Sequence, residues 1–288
     1  MVVSRPSSLE EALAELAREP GTVPLAGGTD LMVAINFGRE RPSRIMSIAR
    51  LEELRTLQMD GTVRCGAGVT YTRMLEALRE STPALAQAAR TVGSPQIRNA
   101  GTLGGNLGTC SPAGDTLPVL AALDATVLAR SRARERRIPF GDFMRGPKSS
   151  SLEPGELVAG VQWEDAGPAQ AFLKAGTRNA MVISVASLCL VADRRRRRVG
   201  LALGSVGPVI VRAGEAERFA EGLFEESGWE RPLRATGAAR ARFAELAGMA
   251  ARPIDDVRGT AAYRRHVVGV MAGRALARVG AAPARTAS

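Results

Sequence analysis

The chain has 288 residues, of which 45% are apolar, so it can bury a sizeable core as one large domain or two modest ones, and wholesale disorder is excluded. Its longest nearly apolar run, residues 181–192, has twelve residues including two serines, too short to span a bilayer, and the N-terminal MVVSRPSSLEEAL lacks the apolar stretch of a signal peptide. The net charge is +10, yet 37 of the 39 basic residues are Arg, and the Arg clusters at 132–137 and 194–198 fall where turns are expected, which fits a compositional bias better than nucleic-acid binding. A cytoplasmic chain with no membrane span is therefore expected.

In chain order, Ser8 and Glu11 form a capping box ahead of Leu9, Ala12, Leu13 and Leu16 at helical spacing. A strand at 22–26 runs into Gly27 and Gly28, a helix starts over 31–35, and a second strand follows at 44–48, the pattern of a β-α-β unit with parallel strands. A hairpin is expected around Asp60 and Gly61, with helices at 72–79 and 83–91. Residues 101–115 are expected to be irregular polar backbone, with Asp115 capping a helix over 117–123. Strands are expected at 126–130, 136–140 and 157–163. Gly167 and Pro168 mark a boundary between a first domain at 1–166 and a second at 167–280. The second domain reads as antiparallel strands at 171–175, 182–192 and 199–206, then helices at 215–225, 234–251 and 260–279, with a disordered tail at 281–288. The fold class is α+β.

Two segments carry chemistry. Leu25, Ala26, Gly27, Gly28, Thr29, Asp30 and Leu31 lie between a strand and a helix, where adjacent glycines and successive N–H groups form an anion nest suited to phosphate. Residues 101–115 hold five glycines, three hydroxyl side chains and Asn106, a second anion- or ribose-binding segment. Two such segments in one domain point to a pyrophosphate held between them, although neither matches the Rossmann or Walker A pattern. Side-chain catalysis is not expected. The only histidine, His266, sits on an amphipathic helix, and Asp255 and Asp256 read as helix caps. Cys65, Cys110 and Cys189 are too dispersed to hold zinc or an iron–sulfur cluster. Nucleotide loops without an acid–base set mean that a cofactor carries the reaction.

LAGGTDLM together with QIRNAGTLGGNLGTCSPAGDTLPVLAAL resembles the FAD-binding medium subunit of the molybdenum hydroxylases, the family of xanthine dehydrogenases, carbon monoxide dehydrogenases and related aldehyde oxidoreductases. The likeness extends along nearly the whole chain, through Gly66-Ala-Gly-Val-Thr70, the run from Lys174 to Ser184 and the run from Pro253 to His266. It implies a two-part PCMH-type FAD-binding domain followed by a smaller α+β C-terminal domain of the CO-dehydrogenase flavoprotein type. The residues of the first segment would wrap the pyrophosphate from one side. Thr102, Gly104, Gly105 and Asn106 would face it from the other. Thr109, Ser111 and Asp115 would serve the ribityl, ribose or pyrophosphate region, and Leu157 and Lys174 the flavin and adenine ends. Where several family members place an aromatic ring over the flavin, this chain has Thr91-Val-Gly-Ser94. The resemblance also implies partners: a large molybdopterin subunit that oxidises the organic substrate, a small [2Fe–2S] subunit, and NAD+ or another electron acceptor, arranged as a heterotrimer. The Ser-Pro-Ala-Gly-Asp-Thr-Leu-Pro and Lys-Ala-Gly-Thr-Arg runs lean toward the xanthine dehydrogenase branch. A carbon monoxide dehydrogenase or aldehyde oxidoreductase medium subunit, and a flavin-free scaffold, are the alternatives.

Overall fold

The computed structural model describes residues 1–282; the tail expected at 281–288 lies outside them apart from Ala281 and Ala282. The chain opens with β1 (Val2–Ser4), α1 (Leu9–Arg18), β2 (Val23–Leu25), α2 (Leu31–Asn36) and β3 (Arg44–Ser47). Ser8 Oγ accepts the Glu11 N–H at 3.1 Å, while the Glu11 carboxylate turns to Ser7. β1 and β2 flank β3 in a parallel three-stranded sheet, as the β-α-β pattern requires. α1 buries Leu9, Ala12, Leu13 and Leu16 on it.

Next come β4 (Leu57–Met59), β5 (Thr62–Gly66), α3 (Tyr71–Ala77), α4 (Pro83–Thr91), α5 (Pro95–Ala100), α6 (Leu103–Thr109) and α7 (Leu117–Ala122). They are followed by β6 (Thr126–Arg130), β7 (Glu135–Pro139), α8 (Phe140–Phe143), the short ribbon β8 (Met144–Gly146) and β9 (Ser149–Ser150), and β10 (Leu157–Glu164). β10 is the central strand of an antiparallel sheet of order β4-β5-β10-β6-β7. The β4–β5 hairpin turns at Asp60 and Gly61, the glycine at φ +85°.

The last part contains β11 (Gln170–Ala175), β12 (Ala186–Asp193), β13 (Arg198–Gly204), β14 (Val211–Arg212), α9 (Gly214–Ser227), α10 (Gly237–Ala250) and α11 (Ala261–Ala281). β11 to β14 form an antiparallel sheet in sequence order. Every residue of β12 is buried, because one sheet face joins the core beneath α4 and α7 while the other packs on α9, α10 and α11. A strand covered on both faces reads as an unbroken apolar run, which accounts for residues 186–192 of the apolar stretch. Gly200 lets α7 come this close, since a Cβ there would lie 2.0 Å from the Ala122 carbonyl oxygen.

Three expectations need correction. Residues 101–115 are not irregular throughout, for α6 lies inside them and α5 just before. The expected strand 182–192 starts only at Ala186; residues 176–184 leave the sheet as an excursion with Met181 at φ +49°. Asp115 does not cap α7, whose N-cap is Thr116; its carboxylate is used elsewhere. The Arg clusters fall at the expected turns, residues 194–197 forming the tip between β12 and β13, exposed at 195–197, and several of their members are paired. Arg136 sits in β7 and pairs with Glu156 at 2.7 Å, Arg196 pairs with Glu164 and Asp193, and Arg198 with Asp124. Arg194 is buried and donates to the carbonyls of Trp229, Arg231, Gly280 and Ala282, closing the C-terminal end of α11.

Candidate cofactor site

The first glycine segment is the turn from β2 into α2. Leu25 ends the strand, and its carbonyl accepts from the Ile48 N–H at 2.9 Å. Gly28 stands at φ +69°, with Met32 Cγ and Leu25 Cδ1 already 3.1 and 3.4 Å from where a Cβ would be, so the turn needs glycine on both conformational and steric grounds. The N–H groups of Gly27, Gly28, Thr29 and Asp30 find no acceptor among the described residues. The turn therefore presents a row of free donors at the start of α2, with Thr29 half-buried beside them and Leu31 as the first helical residue.

The second segment is built differently. Thr102 caps α6, its Oγ1 accepting the Gly105 N–H at 3.0 Å. The Leu103 and Gly104 N–H groups donate to the carbonyls of Val69 and Ala67 at 3.1 and 2.8 Å. Leu103 and Leu107 are fully buried. This anchoring explains how a glycine-rich stretch of poor intrinsic propensity becomes a helix. It also assigns the glycines separate uses. At Gly104 a Cβ would lie 2.5 Å from Ala67 Cβ, so that glycine allows packing. Gly105 and Gly108 lie on the exposed face, where a Cβ would meet only Thr102 Oγ1 at 3.1 Å in the first case and nothing within 4 Å in the second.

The fold brings the two segments together. Gly27 packs on the junction of α5 and α6, where a Cβ would lie 1.8 Å from the Ala100 carbonyl oxygen. Further along, Thr109 Oγ1 donates to Asp30 Oδ2 at 3.5 Å. Between these two contacts, free N–H donors on one wall face a helix surface bared by Gly105 and Gly108. Donors without acceptors beside a surface without side chains fit the pyrophosphate of a dinucleotide such as FAD.

Other residues singled out from the sequence have different partners. Asn106 Oδ1 accepts from Thr116 Oγ1 at 2.5 Å, and Ser111 Oγ accepts the Ala113 N–H at 3.3 Å, so both shape the chain after α6. The Leu157 side chain belongs to the apolar cluster of Leu13, Met46 and Leu54, against which Ala26 packs, so it backs the first turn from within. Asp115 and Lys174 are bonded to each other. Lys174 Nζ lies 2.5 Å from Asp115 Oδ2 and also donates to the Thr91 carbonyl, while Ser184 Oγ donates to Asp115 Oδ1 at 2.6 Å and Thr91 Oγ1 to Oδ2 at 3.0 Å. The pair ties α4 and α7 to β11 and to the base of the 176–184 excursion.

Three participants escaped the sequence reading: Thr91, Ser184 and Arg98. Arg98 Nη1 donates to the Val92 and Gly93 carbonyls at 3.1 and 3.0 Å and so holds the 92–94 loop, with Gly93 at φ +46°. Arg98 was visible as the third residue of the QIRN run, but only the structure shows which carbonyls it reaches. Burial pushes the Cys65 thiol up to about 12 and raises Cys110 and Cys189 as well, which makes all three poor nucleophiles. No group of His, Cys, Asp and Glu among the described residues could hold a metal ion.

Comparison with known proteins places the chain in a family. Residues 1–163 match the family model described as FAD binding domain in molybdopterin dehydrogenase, and residues 171–279 the CO dehydrogenase flavoprotein C-terminal domain. The nicotinate dehydrogenase FAD-subunit of Eubacterium barkeri is 39% identical over 190 residues, covering 62% of this chain and 64% of that relative. The xanthine dehydrogenase FAD-binding subunit of Escherichia coli O157:H7 is 32% identical over 75% of this chain and 78% of its own length. A chain of the Hydrogenophaga pseudoflava carbon monoxide dehydrogenase crystal structure superposes with a TM-score of 0.85 at 26% identity, over 98% of both chains.

Proposed function

Because the chain belongs to the family of FAD-binding chains of molybdopterin dehydrogenases and its cofactor is FAD, we propose that it is the electron-transfer flavoprotein subunit of a molybdenum hydroxylase. In this reading it takes electrons from a [2Fe–2S] partner chain and passes them to NAD+ or another acceptor. The organic substrate is oxidised on a molybdopterin-bearing partner, the three chains assembling as a heterotrimer. The observation that carries the reading is the meeting of the two glycine segments, with unpaired N–H donors on one wall and bare helix surface on the other.

Bound FAD supplies the redox chemistry, accepting an electron pair and releasing it singly or as hydride. The chain's own residues bind and orient. The N–H groups of 27–30 neutralise the pyrophosphate, Gly105 and Gly108 admit it, and Thr109 holds Asp30 aside. Arg98 and the Lys174–Asp115 pair fix the 92–94 loop and the 176–184 excursion. No proton transfer is assigned to a side chain. His266 lies exposed on α11, an element that contributes nothing to the two glycine segments.

The xanthine dehydrogenase-like branch is favoured by the Ser-Pro-Ala-Gly-Asp-Thr-Leu-Pro and Lys-Ala-Gly-Thr-Arg runs. A carbon monoxide dehydrogenase-type assembly is the second reading, favoured by the end-to-end structural likeness to that enzyme's chain. A cytoplasmic setting agrees with three buried free thiols, and no helix among the described residues is long and apolar enough to cross a membrane. The test is a visible spectrum of the purified chain, followed by chromatography of the flavin released on denaturation. FAD is expected. A folded chain that stays colourless when FAD is added would overturn the reading. With the partner chains present, reduction of NAD+ by the substrate-reduced complex then separates NAD+ from other acceptors.

A further inference from the structure

An open groove of about 930 Å³ lies between α10 and α11, on the side of the C-terminal helices. Its floor is made of small residues, among them Gly237, Gly248 and Gly273. These glycines are not required by the chain's own packing. A Cβ at Gly273 would meet only the Arg240 carbonyl oxygen at 3.8 Å, one at Gly248 only that of Arg265 at 3.5 Å, and one at Gly237 nothing within 4 Å. Glycine inside a helix costs about 1 kcal/mol relative to alanine. Gly248 and Gly273 thus weaken their helices with no intramolecular return, in contrast to Gly200 and Gly104, whose missing side chains admit a neighbour.

The rim supplies a second, independent observation. Arg240, Arg265, Arg274 and Arg278 line the groove, all four are exposed, and none has a hydrogen bond or ion pair among the described residues. The one acid on the rim, Glu245, is already paired with Arg242 at 2.6 Å. Four exposed guanidinium groups without an acidic partner thus stand around an apolar floor, a charge that an acidic partner would complement.

We propose that this groove is a docking surface for one acidic amphipathic helix of a partner chain in the assembled complex, a proposal that rests on the subunit reading above. Two antiparallel helices floored by glycine and alanine accept a third helix at close approach, with its larger apolar side chains filling the space the glycines leave. The groove runs from Gly237 to Gly248 on α10, about 17 Å or three helical turns. Carboxylates flanking the inserted helix would meet the four arginines at the solvated edge, where such pairs set orientation and partner choice more than affinity. A second copy of this chain is a poorer occupant, because a two-fold contact would set the same four arginines against themselves. A nucleic acid would use the arginines and leave the apolar floor without a role.

The test uses the full chain, co-expressed with its molybdopterin and [2Fe–2S] partner chains. Phenylglyoxal modification of arginines, read by mass spectrometry, should label Arg240, Arg265, Arg274 and Arg278 in the free chain and spare them in the complex. Gly273→Leu fills the floor and should leave the free chain's flavin content and melting midpoint intact while weakening its retention in the complex by about tenfold. Arg274→Glu with Arg278→Glu should weaken retention independently of floor packing. The proposal is overturned if the complex forms with the four arginines still labelled and Gly273→Leu incorporated as well as the native chain. It is overturned equally if Gly273→Leu abolishes a homodimer of the free chain, or if nucleic acid in place of the partner chains gives the protection. A native chain that binds no flavin and joins no complex would remove the subunit reading itself, and the groove's role with it.

Discussion

In the turn at residues 27–30 the backbone N–H groups face outward without acceptors, whereas in α6 those of Leu103, Gly104 and Gly105 are taken up by Val69, Ala67 and Thr102. Both segments are glycine-rich, and from composition alone both looked like anion nests. The difference is one of use. The first segment offers donors, and the second offers room, its glycines split between those that let α6 sit on Ala67 and those that keep its outer face bare. A glycine run thus marks where backbone or ligand comes close, without stating which.

The contrast can be broken hardest at its hinge point. Gly27→Val puts a side chain onto the Ala100 carbonyl and should part the turn from the α5–α6 junction, with FAD content falling to near zero and the thermal midpoint dropping; a yellow, normally melting variant would contradict the arrangement. Asp115→Ala leaves Lys174 buried without its partner and should cost about 3–5 kcal/mol in urea unfolding, while the double variant Asp115→Leu with Lys174→Met should recover most of it. Gly105→Leu sharpens the comparison. Its Cβ faces the cofactor side with only Thr102 Oγ1 nearby, so stability should change by no more than about 1 kcal/mol while flavin occupancy is lost. Thr102→Ala removes the cap of α6 and should cost about 1 kcal/mol, with flavin retained at saturating FAD. The smallest effect concerns Cys65, two residues before the Ala67 carbonyl that anchors α6. Burial disfavours its thiolate and raises its titration to about 12, so the thiol form persists well above pH 8. Ellman's reagent should leave Cys65 unmodified in the folded chain and react with it after denaturation.

Much of the fold was legible from local signals. The Ser8 cap with its apolar stripe, the Asp60–Gly61 hairpin, the β12–β13 pair around the Arg turn, and the helices capped by Thr236 and Thr260 all follow from short-range periodicity and capping chemistry. That the two glycine segments are places of close backbone approach could also be read, and Gly27 and Gly104 both pack on neighbouring backbone or side chains. What could not be read was α6, because its helical state depends on carbonyls some 35 residues earlier in the chain. The early end of the strand expected at 182–192 was equally hidden, for β-branched and apolar residues at 182–185 look the same in a ladder and in an excursion.

Sequence by itself determined the tight turn at residues 27 and 28: glycines between a strand and a helix constrain the backbone wherever the rest of the chain lies. Only the tertiary structure decided what the charged residues do. Asp115, Lys174, Thr91 and Ser184 lie up to 93 positions apart and become one buried cluster. Arg194 closes a helix end, and Arg240, Arg265, Arg274 and Arg278 stay unpaired around a groove. Backbone conformation is set by neighbours in sequence, whereas a charge takes its role from the burial and partners that folding places around it.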